Sequence, residues 1–126
     1  MYTMPVLNQV LPIKLQSPNV QEHWRKKYNR NVQQLLVIKH LMLRDVTDVT
    51  LPCRITMERS GKKLFDSDNY VTACKGIRDS ICQLLFHKKR GIGDNDPQIE
   101  WVYKQITGKI GLRIEIVWGE SWEKTI

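Results

Sequence analysis

From about residue 68 to residue 86 the chain is patterned as an amphipathic helix. At about 100° per residue from Asp68, the side chains of Tyr70, Cys74, Ile77, Ile81, Leu84 and Leu85 fall between about 160° and 260°. Thr72, Lys75 and Asp79 fall within about 40° of Asp68 itself. One side is therefore core, and the other carries acid, hydroxyl, lysine and acid in a line. Charge complementarity between successive turns accounts for such a strip by itself. It does not account for what stands at the helix start. There the stretch FDSDN, residues 65–69, sets Asp66 and Asp68 two residues apart at a strand-to-helix junction.

The remaining pattern supplies partners for that helix. LPIKLQ, residues 11–16, alternates Leu11, Ile13 and Leu15 with polar residues and predicts a half-buried strand. Asn19 can cap a helix, with Glu22 at capping-box spacing. Trp24, Tyr28, Val32, Leu35 and Met42 then share one face through to about residue 44. Residues 45–50 read as a connection. LPCRITMER alternates Leu51, Cys53, Ile55 and Met57, a second strand, and SGKK reads as a turn. Near the end Ile99, Trp101 and Tyr103 alternate, as do Ile110, Leu112, Ile114 and Ile116. The ITGK stretch between them predicts an antiparallel hairpin. The order is strand, helix, strand, helix, strand, strand. It predicts a small α/β (α+β) fold, with helices packed on a mixed or antiparallel sheet.

With 126 residues the chain is long enough for one core and not for two, so residues 1–126 are read as a single domain. Hydrophobic residues at 41% and charged residues at 26% exclude a disordered or membrane-embedded class. No apolar run approaches the roughly 18–20 residues a bilayer span needs. The stretch MYTMPVLNQV lacks the basic start and apolar centre of a secretion signal, so a cytoplasmic location is expected. Cys53, Cys74 and Cys82 form no CxxC pair, which argues for buried thiols over a disulfide framework or a structural zinc.

Twenty Lys and Arg against thirteen Asp and Glu give a formal net charge of +7, a surplus that suits a polyanionic partner such as nucleic acid. Arg25, Lys26, Lys27 and Arg30 crowd the early turns of the first helix, where cations oppose the macrodipole. They are either a solvated face or phosphate contacts. Lys62 and Lys63 precede FDSDN. Lys88, Lys89 and Arg90 stand where the second helix ends, a place where cations also serve as ordinary capping residues. Carboxylates closing on one spot would repel each other unless a cation sits among them. Oxygen-only ligands with room for water suit Mg²⁺ or Mn²⁺. The loop GIGDNDP, residues 91–97, is tight enough to bring Asp94 or Asp96 over the same spot, or is an acidic turn. It lacks the length and terminal Glu of an EF-hand.

DSDN, then ACKGIRDSI, then GIGDND, then IEWVYKQITGKIGLRIEI together resemble the RusA family of Holliday junction resolvases, above all the versions carried by phages and prophages. The resemblance maps the family's acidic pair onto Asp66 and Asp68, its lysine onto Lys75 and its loop aspartate onto Asp94. Asp79 matches a further acid on the helix, and Asn19 matches a residue near the family's beginning. It implies a Mg²⁺-dependent endodeoxyribonuclease that cuts four-way junctions as a symmetric homodimer. Asp66, Asp68 and Asp94 or Asp96 would be the metal ligands. Lys75 would stabilise charge on the phosphate or orient the attacking water. The basic residues around them (Arg25, Lys26, Lys27, Arg30, Lys62, Lys63, Lys88, Lys89 and Arg90) would hold DNA. Apolar residues near Trp118 and Trp122 are candidates for the dimer contact or for core packing. Three other readings stand beside this one: a metal-dependent nuclease for other branched DNA, a non-catalytic basic DNA-binding module whose acids are caps and turns, and a small interaction protein that is basic for solubility.

Overall fold

The computed structural model describes residues 6–17, 23–43, 49–86 and 92–119. In chain order these form β1 (Val6–Leu11), α1 (Trp24–Leu41), β2 (Cys53–Gly61), α2 (Ser67–Ala73), α3 (Lys75–Phe86), β3 (Ile99–Thr107) and β4 (Gly111–Trp118). The expected α+β class is the one observed. Four strands make one mixed sheet in the order β1-β4-β2-β3, with β2 and β3 parallel and the other neighbours antiparallel.

Register gives the sheet two unlike faces. One row runs Leu7, Ile116, Ile55, Trp101, and the next runs Gln9, Ile114, Met57, Tyr103. This is the face that joins the core, where Ile55, Met57, Ile114 and Ile116 are fully buried. Burial of each such side chain is worth about 1.5–3 kcal/mol. The alternate residues form more polar rows: Asn8, Glu115, Thr56, Val102 in one, and Val10, Arg113, Glu58, Lys104 in another. Ion pairs Arg54–Glu100 at 3.0 Å and Arg113–Glu58 at 3.3 Å cross between neighbouring strands there. Opposite charges in facing register are favourable cross-strand pairs.

The last two strands do not form the expected hairpin. β2 lies between them, and residues 108–110 carry the chain across its end. β2 is buried without a break from Ile55 through Met57, and a central place gives its backbone ladders on both sides. β3 is only partly covered and takes the edge. The crossing needs Gly108, at φ 156°, whose N–H donates to the Gly61 carbonyl at 2.9 Å. Ile110 falls in this crossing and is 51% exposed, so the inward alternation begins at Leu112.

Three further boundaries differ from expectation. β1 ends at Leu11 because β4 begins at Gly111, which leaves residues 12–17 without a ladder partner. Ile13 and Leu15 are still buried, after a tight bend closed by Ile13 N–H on the Leu11 carbonyl at 2.8 Å. α1 begins after His23, whose Nδ1 accepts from Arg25 N–H at 3.2 Å; Asn19, Glu22 and Arg44 lie outside the described residues. Trp24 and Tyr28 do not reach the core and are 66% and 64% exposed. α1 packs only farther along, where Asn31 and Gln34 approach so closely that a Cβ at Gly76 of α3 would lie 2.8 Å from Asn31 Oδ1. Finally, the helix expected over 68–86 is broken at Cys74 into α2 and α3. Trp118 is buried in the core and Trp122 lies outside the described residues. No helix among the described residues is long and apolar enough to cross a membrane.

Candidate functional site

The polar strip read from the helical wheel is present although the helix is broken. Asp68, Thr72, Lys75 and Asp79 are all exposed, while Tyr70, Cys74, Ile77 and Ile81 are buried behind them. Thr72 Oγ1 donates to the Asp68 carbonyl at 3.0 Å. The Tyr70 hydroxyl donates to the Met57 carbonyl at 2.7 Å and pins α2 to the central strand. Burial, followed by the neighbouring Cys74, raises the Tyr70 hydroxyl's pKa well above its ordinary value, so it stays a donor.

Asp66 is the N-cap residue of α2, yet its side chain makes no capping hydrogen bond. An N-cap carboxylate ordinarily accepts from the second or third helical N–H; this one does not, and it is exposed. Asp68 follows in the first turn and is exposed as well.

Lys75 opens α3, and its ammonium bridges two acids. Nζ lies 2.9 Å from Asp79 Oδ1, and 3.0 and 2.9 Å from the two oxygens of Asp94. The bonds to Asp79 and then to Asp94 raise its pKa, so Lys75 is a fixed cation at neutral pH. Asp94 also meets Arg78, whose Nε is 3.0 Å from Asp94 Oδ2. Burial pushes the Asp94 carboxyl up, but its bonds to Lys75 and Arg78 outweigh that and hold it below the usual carboxylate value. The loop bearing Asp94 is fixed independently: Trp101 Nε1 donates to the Asp94 carbonyl at 2.7 Å. Asp96 shapes the same turn, its Oδ1 accepting from Gln98 N–H at 2.9 Å.

The structure thus joins Lys75, Asp79 and Asp94, and sets Asp68 at the start of the same exposed strip, with exposed Asp66 two residues before it. Asp96 serves its own turn. Among the described residues no group of three or more His, Cys, Asp or Glu stands close enough together to hold a metal ion. Of the basic candidates, Arg25, Lys26, Lys27, Lys62 and Lys63 are exposed and Arg30 is half-buried. Asn19, Lys88, Lys89 and Arg90 lie outside the described residues.

Two arginines escaped the sequence reading. Arg78 ties the site together, with Nη1 donating to the Val71 carbonyl at 2.6 Å and to the Tyr103 hydroxyl at 3.2 Å. Arg59 lies with its guanidinium carbon 3.8 Å from the Phe65 ring centroid and donates to the Lys63 carbonyl at 2.8 Å. Arg59 did carry a signal. It has the inward parity of Cys53, Ile55 and Met57, where a charge requires a partner. Gln105, opposite Arg59 in the parallel ladder, clamps Phe65 from both sides: its Oε1 accepts from Phe65 N–H at 2.9 Å and its Nε2 donates to the Phe65 carbonyl at 3.0 Å. That clamp fixes the backbone immediately before Asp66.

Compared with known proteins, the chain matches no family model, and no curated protein matches it.

Proposed function

We propose that the chain is a metal-dependent endodeoxyribonuclease acting on branched DNA, in the manner that its resemblance to RusA-type Holliday junction resolvases implies. The observation that carries this reading is the Asp66 carboxylate: it occupies an N-cap without capping, two residues before exposed Asp68, which opens the strip that also carries the doubly paired Lys75. Asp66 and Asp68 would offer only oxygen atoms, the donor type that Mg²⁺ takes, with Mn²⁺ as a substitute. They would be its first two ligands, and no third His, Cys, Asp or Glu among the described residues stands with them. Asp94 would have to give up Lys75 or Arg78 to join them, since both of its oxygens are already bonded.

When bound, Mg²⁺ would polarise the phosphodiester and activate water for in-line attack, which leaves a 5′-phosphate and a 3′-hydroxyl. Lys75 works by charge. Its raised pKa removes it from acid–base duty at neutral pH, and a persistent ammonium can offset the charge that develops on the phosphate. Asp79 and Asp94 hold that ammonium in place. Arg25, Lys26, Lys27, Lys62 and Lys63, with Arg30, Lys88, Lys89 and Arg90, contribute the phosphate contacts that set the substrate's register. A symmetric homodimer fits a four-way substrate cut at paired positions. The chain is placed in the cytoplasm of a bacterial host, whether host- or phage-encoded.

The decisive experiment is incubation of an end-labelled synthetic four-way junction with and without Mg²⁺, beside linear duplex and flap controls. Paired, metal-dependent nicks confined to the junction are expected, and Asp68→Asn should abolish them while leaving binding in EDTA intact or tighter. One observation favours a second reading, a non-catalytic DNA-binding module: Asp94 is already neutralised by two cations. Tight junction binding with no cutting in either Mg²⁺ or Mn²⁺ would establish that alternative.

A further inference from the structure

A cavity of about 300 Å³ opens at the end of the sheet, immediately before the acidic pair. Its apolar walls are Ile13, Leu15, Phe65 and Ile110, and its charged lining residues are Lys14, Arg59, Lys62 and Lys63. All four are cations. Phe65, in the cavity wall, is joined to Asp66 by one peptide bond, which sets their α-carbons about 3.8 Å apart. The Gln105 clamp on both backbone groups of Phe65 holds that step rigid.

A second copy of the chain is a poor occupant. An isologous contact centred here would set these four cations against four like charges, which association does not tolerate without compensation. The complementary guest is an anion with a flat apolar body. Phe65 and the guanidinium stacked on it are the two kinds of surface on which unpaired bases stack, and the exposed lysines supply phosphate contacts on either side. The volume holds one nucleobase with its sugar.

We propose that this cavity receives a single unpaired deoxynucleotide, its base between the apolar walls and its flanking phosphates on Lys14, Lys62 and Lys63. The inference rests on the nuclease reading for the chemistry next door, and it gives that site a substrate feature: a strand whose base is unstacked where it meets Asp66. Branch points and single-stranded tracts offer such bases at less cost than continuous duplex.

The test is binding in EDTA, which keeps it separate from cleavage. Full-length protein is titrated into a fluorescein-labelled ten-nucleotide single strand, and into the same strand with one abasic site at its centre. The intact strand should bind about tenfold more tightly than the abasic one. Ile110→Glu, which puts a carboxylate at the cavity's exposed wall, should bring the intact strand down to the abasic level. Ile106→Glu makes the same charge change at a residue 49% exposed and outside the cavity, and should keep the discrimination. Equal affinity for intact and abasic strands, or equal effects of the two glutamates, would overturn the proposal. So would a dimer in sedimentation that Ile110→Glu dissociates while leaving strand binding unchanged, because the cavity would then be an interface between copies. Loss of junction cutting with base discrimination intact would count against the nuclease reading and leave this one standing.

Discussion

At Asp94 one carboxylate meets two cations, and its surroundings fix how it responds to pH. The folded pKa is lower than the unfolded one, so as pH falls the unfolded chain takes up its proton first and stability is lost. The contribution is complete above the unfolded value near 4 and disappears as pH drops below it toward the folded value. Lys75 works in the opposite direction. Its folded pKa is raised, so its contribution is complete below about 10.4 and is lost as pH climbs through the folded value. Its exposed position screens that contribution heavily. Asp94→Asn should cost about 2 kcal/mol in urea unfolding at pH 7, mostly by stranding Arg78, and the deficit should shrink as the pH is lowered from 5 to 3. On the proposed nuclease reading, in which its charge acts in the transition state, Lys75→Met should reduce the rate of junction cutting at least about 100-fold while changing affinity in EDTA by less than about threefold.

Between elements, the joint that matters is α2 against β2. α2 has only seven residues, too few to hold itself together, and its place depends on Tyr70 reaching the Met57 carbonyl. Tyr70→Phe should destabilise the protein by about 1–2 kcal/mol in denaturant titration. Because α2 carries Asp68, the same variant should also slow cleavage more than it weakens binding. Cys53 of β2 and Cys74 at the end of α2 report on the same joint, and Cys82 on α3 beside it. Cys53, Cys74 and Cys82 are buried, and burial first of all pushes each up to about 12, so none is a thiolate at pH 8. An aromatic disulfide reagent should label none of them in the native protein within minutes and all of them in guanidinium.

Over the whole molecule, the surplus of positive charge predicts a steep salt dependence. Junction affinity in EDTA should fall by more than about tenfold between 50 and 200 mM NaCl. Replacing Lys62 and Lys63 together with Ala should flatten the log–log slope by about 2 if each neutralises one phosphate, whatever the DNA sequence. A slope near zero in the parent protein would instead point to a basic protein whose partners are not nucleic acids.

Much of this architecture was legible in local pattern. Period-two alternation marked β2, β3 and β4, and period-3.6 recurrence separated the exposed strip of Asp68, Thr72, Lys75 and Asp79 from its buried opposite side. Each of those signals depends only on which way a side chain leaves its own element. Local pattern could not say which strand stands beside which. ITGK has the appearance of a hairpin turn, but pairing is settled by which strand gains most from two ladders, and β2 displaced β4 from β3. Nor could it show that Trp24 and Tyr28, helically spaced and aromatic, lie exposed on α1 and not in the core. The partners of Asp94 were hidden for the same reason. Local pattern was enough for most of the elements, for the two faces of residues 68–86 and for the chemistry available on the exposed strip, but not for the bounds of β1 or the break at Cys74. The tertiary structure alone decided that Asp94 meets Lys75 and Arg78, and that Arg59 and Phe65 share a cavity beside Asp66, since contacts between residues far apart in the chain follow from strand order and register.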